Sequence, residues 1–279
     1  MALLKVSDHR RDFAGMTYVY PVLSRRAGGV SVGINLNPNN ACNWHCVYCQ
    51  VPDLVRGAAP AIDRARLREE LTGFLDALVN GDYMARHVPE GLRTIQDIAF
   101  SGNGEPTSAK AFAGIMDDVI SIRDAAGLAR VPVRLITNGS LITRAYVQAC
   151  LKRLAQGGGE VWFKVDGGRR EDITRINGVD LDPASVSRAL AASAAVCPTW
   201  VQTCMFAWDG EAPQAAALEA YLACLDAAGV DALQGVLLYG VVRPSMQAEA
   251  PRVAALSEAE LMSIAERIKE KGLTVRVSP

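Results

Sequence analysis

The residues best suited to chemistry are three cysteines in the segment 39–49. Cys42, Cys46 and Cys49 follow one another at a spacing that neither a helix nor a strand explains. Their thiolates are soft ligands that favour zinc or an iron–sulfur centre. A structural zinc site needs four ligands, and His45, between two of the cysteines, would strain a compact tetrahedron. Three thiolates fit a 4Fe-4S cluster with one iron open to another molecule; a closed zinc site and incidental buried cysteines are the alternatives.

Other polar residues lie on later apolar runs, at or near their C-terminal ends. Glu105 follows two glycines, and Asn138 begins an Asn–Gly pair. Lys164, Asp166 and Gln202 lie on the next two runs. Because α/β folds gather ligands at the C-terminal ends of their strands, these separate places together predict a ligand site. Taken singly, such glycine sequences are more often plain turns. For Lys164, a buried structural ion pair is the alternative.

Strand-like runs alternate with helical patterns, which predicts a parallel sheet built of βα units. Six such units favour a partial (β/α)6 barrel over an open doubly wound sheet. Residues 28–279 are expected to form this barrel domain and residues 1–27 an N-terminal extension. The expected strands are Val30–Leu36, Ile95–Ser101, Val133–Thr137, Val161–Asp166, Trp200–Phe206, Gln234–Val241 and Leu273–Val277.

One face of several expected strands is polar or small. A strand covered by helices on both sides should be apolar on both faces, so the polar face is expected to line a cavity. Cys204 lies on this face and is a candidate for a redox or substrate role. The residues of this face are Ser31, Gly33, Asn35, Trp162, Lys164, Asp166, Trp200, Gln202 and Cys204.

Three helices have recognisable signals. Asp182–Pro183 is typical of a helix start, and Ser257 with Glu260 forms a capping box in a helix that Gly272 is expected to end. A third helix should bury one face, made of Leu67, Leu71, Phe74, Leu75 and Leu78.

The composition limits the function classes. Half of the residues are hydrophobic, so a large core is expected. With 29 basic and 30 acidic residues, the chain lacks the basic balance typical of nucleic-acid binding; the pairs Arg10–Arg11, Arg25–Arg26 and Arg169–Arg170 leave a local patch open. No apolar run reaches the length of a membrane span. We therefore expect a cytosolic protein with reduced thiols.

At the cysteine loop the chain resembles the radical S-adenosylmethionine (SAM) superfamily. The signature of that family is Cys-x3-Cys-x2-Cys with an aromatic residue before the last cysteine, here Tyr48. The resemblance implies a 4Fe-4S cluster whose open iron binds the amino and carboxylate groups of SAM. Reductive cleavage then yields methionine and a 5′-deoxyadenosyl radical that abstracts hydrogen from a substrate.

The resemblance also implies which residues contact SAM. The segment Gly102–Glu105 is similar to the family's glycine–glutamate motif, which holds the amino group of the methionine. Asp166 is expected to bond a ribose hydroxyl. The full expected set is Tyr48, Gly102, Asn103, Gly104, Glu105, Asn138, Lys164, Asp166 and Gln202.

More narrowly, the sequences SGNGEPT, ITNGSL, KVDGG and YGVVRP resemble the wyosine-type branch, which includes tRNA-modifying synthases. The archaeal tRNA enzymes carry further N-terminal cysteines for a second cluster, whereas no cysteine precedes Cys42 here. This difference weighs against the tRNA reaction.

Two residues at the C-terminal end of the sixth strand, Tyr239 and Arg243, are candidates for substrate contact and catalysis. Arg243 is suited to bind a carboxylate or phosphate in a bidentate manner, with a structural salt bridge as the alternative. Tyr239 is suited to hydrogen-bond the substrate or relay an electron. Both are expected on the side of the barrel away from the cysteine loop.

Three functions remain open. The favoured one is a radical SAM enzyme acting on a small molecule or a peptide, with an external one-electron donor of the flavodoxin or ferredoxin type. The second is a radical SAM enzyme that modifies tRNA. The third is a non-enzymatic zinc or iron–sulfur protein.

Overall fold

The computed structural model describes Leu4, residues 15–24 and residues 28–278. Its strands are β1 (Val19–Ser24), β2 (Gly29–Ile34), β3 (Ala41–Cys42), β4 (Val55–Arg56), β5 (Ile95–Phe100), β6 (Val133–Thr137), β7 (Glu160–Lys164), β8 (Thr199–Cys204), β9 (Ala207–Trp208), β10 (Gly235–Tyr239), β11 (Val253–Ala254) and β12 (Val275–Ser278). Its α-helices are α1 (Arg64–Val79), α2 (Tyr83–His87), α3 (Phe112–Ala125), α4 (Ala145–Gln156), α5 (Arg170–Asn177), α6 (Pro183–Ala194), α7 (Ala215–Ala228) and α8 (Glu258–Lys269).

Within the described ranges, the main sheet has eight strands in the order β1-β2-β5-β6-β7-β8-β10-β12. All neighbours from β2 to β12 pair in parallel. The sheet curls, and β1 and β12 remain at its two edges, so the barrel is open. The predicted partial barrel is confirmed, and each expected strand begins and ends within two residues of an observed one.

The edge strand β1 is absent from the sequence-based prediction. It lies inside the segment 1–27 and pairs antiparallel with β2, from Val19 opposite Ile34 to Ser24 opposite Gly29. Pro21 interrupts its strand-like pattern, and proline is tolerated at a sheet edge because no ladder hydrogen bond is needed there. The boundary between extension and barrel stays a prediction. Arg10–Arg11 and Arg25–Arg26 lie outside the described residues.

The predicted helix signals are present. Helix α1 buries the expected apolar face, and the Asp182 side chain caps α6 by accepting a hydrogen bond from Ala184 N. The capping box of Ser257 and Glu260 starts α8. This helix ends at Lys269, before the expected stop at Gly272, whose φ is +83°.

The two faces of the sheet differ as predicted. The outer face packs under the helices in the main hydrophobic core. On the inner face, Trp162, Trp200 and Leu237 form a small apolar cluster, and the guanidinium of Arg134 stacks 4.7 Å from the centre of the Trp162 ring. The inner face therefore combines aromatic and charged groups around an internal space. No helix in the described part of the chain is long and apolar enough to span a bilayer.

Candidate active site

The three cysteines line one cavity of about 350 Å³ inside the barrel. All three are free thiols, and Trp44 N lies 3.5 Å from the sulfur of Cys42. Burial raises the pKa of Cys42 to about 11 and that of Cys46 to about 12. Among the described residues, no three Cys, His, Asp or Glu side chains are grouped as ligands of one metal ion. In an iron–sulfur cluster, by contrast, each thiolate binds its own iron atom.

The end of helix α5 supports the cysteine loop. Two loop amides, those of His45 and Val47, donate to the last carbonyls of α5 at 2.9 Å each. Asn177, the last residue of α5, donates its side-chain amide to Cys46 Sγ at 3.3 Å. The next residue, Gly178, has a φ of +64°, and a Cβ there would lie 2.7 Å from His45 O. Glycine at this position therefore allows the loop to dock on the helix.

The segment after β10 supports the same loop from the other side. Ser245 Oγ donates to Val47 O at 2.7 Å, and Met246 N donates to Cys49 O at 2.9 Å. Tyr239 and Arg243, in the same stretch of chain, line the cavity together with the three cysteines. The prediction that they lie away from the cysteine loop is therefore wrong. The curl of the sheet brings the end of β10 back to the loop that follows β2.

The glycines after β5 allow two loops to pack closely. A Cβ on Gly104 would clash with Ala41 O in the cysteine loop, and one on Gly102 would clash with the side chain of Asn35. Both glycines line the cavity. The missing side chains of Gly102 and Gly104 allow the loop after β5 to lie close to Asn35 and to the cysteine loop. They also leave the backbone of this loop accessible to a ligand.

Glu105 is a buried carboxylate at the cavity wall, with 2% of its surface exposed. Its Oε1 accepts hydrogen bonds from Thr137 Oγ1 at 2.7 Å and Thr107 Oγ1 at 2.5 Å, and its Oε2 accepts one from Asn138 N at 2.7 Å. Burial raises the pKa of Glu105, whereas these bonds lower it, and the net shift is upward. A carboxylate oxygen has two lone pairs, so Oε2 can accept another donor such as an ammonium group.

Lys164 lies at the centre of a buried hydrogen-bond network. Its ammonium donates to Tyr48 Oη at 2.7 Å and to Tyr239 Oη at 3.2 Å. Tyr48 in turn donates to Asp166 Oδ2 at 2.5 Å. Burial lowers the pKa of Lys164, but Asp166, with smaller contributions from Tyr239, Cys46 and Cys204, raises it by more in total, so the pKa lies well above its usual value. Lys164 therefore stays cationic beside the cysteine loop.

Asp166 does not reach the cavity, which corrects its expected role as a ribose ligand. Its side chain is fully buried. Its oxygens accept from Tyr48 Oη, from Asn177 Nδ2 at 2.8 Å and from Cys204 N at 3.0 Å. Asp166 therefore supports the residues of the cavity wall from behind.

Two of the expected SAM ligands also hold the cysteine loop. Asn138 donates its side-chain amide to Asn43 Oδ1 at 2.8 Å, and Asn103 donates to Asn40 Oδ1 at 2.5 Å. The structure brings the expected site residues other than Asp166 to one cavity wall: Cys42, Cys46, Tyr48, Cys49, Gly102, Asn103, Gly104, Glu105, Asn138, Lys164, Gln202, Tyr239 and Arg243, with Cys204 beside them.

Several supporting residues escaped the sequence analysis. The Asn–Gly pair at the end of α5 is a recognisable helix stop, but nothing in the sequence indicates that it contacts a cysteine. Nothing in the sequence indicates the contact of Asn43 with Asn138. Arg134 and Asp97, which the sequence analysis did not single out, also line the cavity.

Solved structures with a similar fold include several radical SAM enzymes. A radical SAM methyltransferase from Sphaerobacter thermophilus superposes with a TM-score of 0.62 over 93% of this chain and 68% of that one, at 14% identity. The structure of anSMEcpe with bound AdoMet gives 0.55 over 88% of this chain and 62% of that one, at 17% identity. Archaeal TYW1 gives 0.51 over 89% and 73%, at 12% identity.

The chain has the radical SAM fold. The resemblance seen at the cysteine loop is thus confirmed for the architecture of the chain. At these identities the likeness concerns the fold, and the reaction has to be argued from the site.

Sequence comparisons add little to the structural ones. No protein-family model matches the chain. One curated protein, GTPase Obg from Brachyspira hyodysenteriae, is 29% identical over 131 residues. The match covers 47% of this chain and 17% of that protein. The sequence Gly-x4-Gly-Lys-Ser/Thr, which binds phosphates in P-loop proteins, does not occur in the 279 residues.

Proposed function

We propose that the chain is a radical SAM enzyme that abstracts hydrogen from a small molecule or a peptide. The observation that carries the proposal is the common cavity, in which three free cysteines face a buried carboxylate and the polar inner face of an open barrel. A 4Fe-4S cluster with SAM, when bound, supplies reductive cleavage of a sulfur–carbon bond and a 5′-deoxyadenosyl radical.

The residues present fit these two cofactors. Cys42, Cys46 and Cys49 would hold the cluster, because they are soft ligands, unpaired by disulfides, in one cavity. Glu105 would hold the ammonium of SAM through Oε2, which accepts a single hydrogen bond from the described residues. The backbone of the segment 102–104 would lie along the rest of SAM.

Other residues exclude water and contact the substrate. Trp44 is 5% exposed. Together with Val51, it forms an apolar part of the cavity wall near the cysteines. Exclusion of water protects a reactive centre from side reactions. Gln202, Tyr239 and Arg243 line the same cavity and present an amide, a hydroxyl and a guanidinium to a substrate. We also propose that an external flavodoxin or ferredoxin supplies the electron.

Anaerobic reconstitution with iron and sulfide, followed by addition of SAM and dithionite, tests this proposal. We expect 5′-deoxyadenosine by mass spectrometry from the wild type and none from Cys42→Ala, Cys46→Ala or Cys49→Ala. Cys150→Ala is the matched control, since Cys150 is buried in α4 and 1% exposed; it should retain product formation.

Two results would contradict the proposal. Zinc bound without sulfide would contradict the cluster and support a non-enzymatic zinc protein. A complete four-iron cluster that binds SAM without cleaving it to 5′-deoxyadenosine, with candidate substrates present, would contradict the reaction.

A further inference from the structure

A chain of hydrogen bonds connects Cys46 to a buried ammonium. Asn177 Nδ2 donates both to Cys46 Sγ at 3.3 Å and to Asp166 Oδ2 at 2.8 Å. The same carboxylate oxygen accepts from Tyr48 Oη at 2.5 Å. Tyr48 Oη accepts from Lys164 Nζ at 2.7 Å. The sulfur of Cys46 thus lies beside one amide donor, with a cation and an anion just behind it.

These charges act in a poorly solvated environment. The side chain of Asp166 is fully buried and that of Lys164 is 17% exposed, with 3.9 Å between the Lys164 nitrogen and Asp166 Oδ2. Because little water screens them, they influence the sulfur more strongly than surface charges would. Lys164 favours negative charge on the sulfur, whereas Asp166 opposes it.

The surroundings of Cys42 are different. Its sulfur lies near a backbone amide, Trp44 N, at 3.5 Å, and its thiol points toward the carbonyl oxygen of the Asn43 side chain at 3.9 Å. An amide oxygen accepts and does not donate to sulfur. The side-chain donor of Asn177 therefore distinguishes the environment of Cys46 from that of Cys42.

We propose that Asn177 and Lys164 raise the reduction potential of the cluster held by Cys46, and that Asp166 lowers it. The inference rests on the proposed function, because it requires the cluster. In the step concerned, one electron passes from an external one-electron donor to the cluster, and no bond forms or breaks. An N–H donor and a cation stabilise the added negative charge, whereas a carboxylate destabilises it.

The test is a potentiometric titration of the reconstituted protein, followed by the EPR signal of the reduced cluster. We expect Asn177→Leu and Lys164→Met each to shift the reduction equilibrium about tenfold toward the oxidised cluster, about 59 mV for a one-electron couple. Asp166→Asn should shift it in the opposite direction. Lys164→Arg, which keeps the charge, should stay close to the wild type, as should Lys110→Met at an exposed position.

The opposite signs separate electrostatic control from loosening of the loop, which would move all variants in one direction. Iron and sulfide content is measured first in each variant. Unchanged potentials, or shifts of one sign in variants with complete clusters, overturn the inference. If Asp166→Asn does not retain a cluster, the contrast between Lys164→Met and Lys164→Arg decides. A wild type that forms no cluster refutes the proposed function itself, which is a distinct outcome.

Discussion

At the scale of single residues, Glu105 has a structural role in the cavity wall and a proposed role as the ligand of the SAM ammonium. Its carboxylate joins the ends of β5 and β6 by accepting hydrogen bonds from Thr137 and Asn138, while it lines the cavity. A buried carboxylate is stabilised only when such donors surround it. The same residue therefore fixes the cavity wall and, in the proposed function, would hold the ammonium of SAM.

Replacing Glu105 by glutamine tests both roles. The new NH2 group would face a donor, so we expect a loss of about 1–3 kcal/mol in the free energy of unfolding, and weaker SAM binding. Urea denaturation and anaerobic calorimetry with SAM measure the two effects. Glu90→Gln is the control, because Glu90 is exposed; unchanged SAM affinity in Glu105→Gln would contradict the binding role.

The buried thiols predict a pH dependence for the metal-free protein. Burial raises the pKa of Cys42 to about 11 and of Cys46 to about 12, above the ordinary value of 9.0. The folded state therefore holds these protons where the unfolded state loses them. This contribution to stability is complete below pH 9 and is lost as the pH rises toward the folded values.

Urea denaturation at pH 8 and pH 10.5 checks this prediction. The metal-free wild type should lose roughly 4 kcal/mol more stability over this interval than the double variant Cys42→Ala/Cys46→Ala, about 2 kcal/mol for each thiol. Equal losses in the two proteins would show that the thiols are not buried in this way.

The cysteines, the glycine–glutamate segment and most inner-face residues could be predicted from the sequence. Their types are rare at such spacings, and strand alternation assigns them to one face. The role of Asp166 could not be predicted from the sequence. Strand alternation does not tell whether a side chain at a strand end reaches the cavity or lies behind its wall. Asn177 was missed because its partner, Cys46, is 131 residues away in the sequence.

At the scale of elements, three segments converge on the cysteine loop. Helix α5 accepts two of its amides, the loop after β5 packs against it through Gly104, and the segment after β10 binds its carbonyls. The strands themselves were predictable from their apolar runs. The position of the segment after β10 was not predictable from the sequence, because the degree of curl of a sheet depends on packing across the whole barrel.

Gly178→Ala tests the docking of α5 on this loop, with Gly127→Ala as a matched control. Both glycines have a positive φ, but a Cβ at Gly127 would meet nothing within 4 Å. Gly127→Ala should cost about 1–2 kcal/mol through its backbone conformation alone, with normal iron content after reconstitution. Gly178→Ala should cost more and lower the iron content, because the Cβ displaces His45. Equal costs and equal iron content would contradict the docking role.

At the scale of the whole molecule, the inner face of the barrel carries further charges in the cavity that the cysteines line. Arg134 pairs with Asp97 and with Glu160, the latter at 2.6 Å, and stacks on Trp162. The Arg169–Arg170 pair at the surface is bound to carboxylates, with Arg169 at 2.6 Å from Asp172. These guanidinium groups are thus compensated within the fold, which gives no basis for favouring an RNA substrate.

Arg134→Met tests the importance of the interior charges. The substitution leaves the carboxylates of Asp97 and Glu160 without their partner. We expect a loss of about 3 kcal/mol in the free energy of unfolding. This value is at the lower end for a buried pair, because the Arg134 side chain is 15% exposed. Arg153→Met breaks a pair whose side chains are 50% and 48% exposed and should cost about 1 kcal/mol or less. Similar costs for both would show that the interior pairs are not shielded from water.

The central claim is that three cysteines leave one iron of the cluster open for SAM. Pulsed electron–nuclear double resonance on the reduced, reconstituted protein tests it, with SAM carrying 15N at the methionine amino group and 17O at the carboxylate. We expect hyperfine coupling of both labels to the cluster, with the amino-group coupling altered in Glu105→Gln. A complete cluster that shows no coupling to either label, with SAM present in excess, would show that its open iron does not bind SAM.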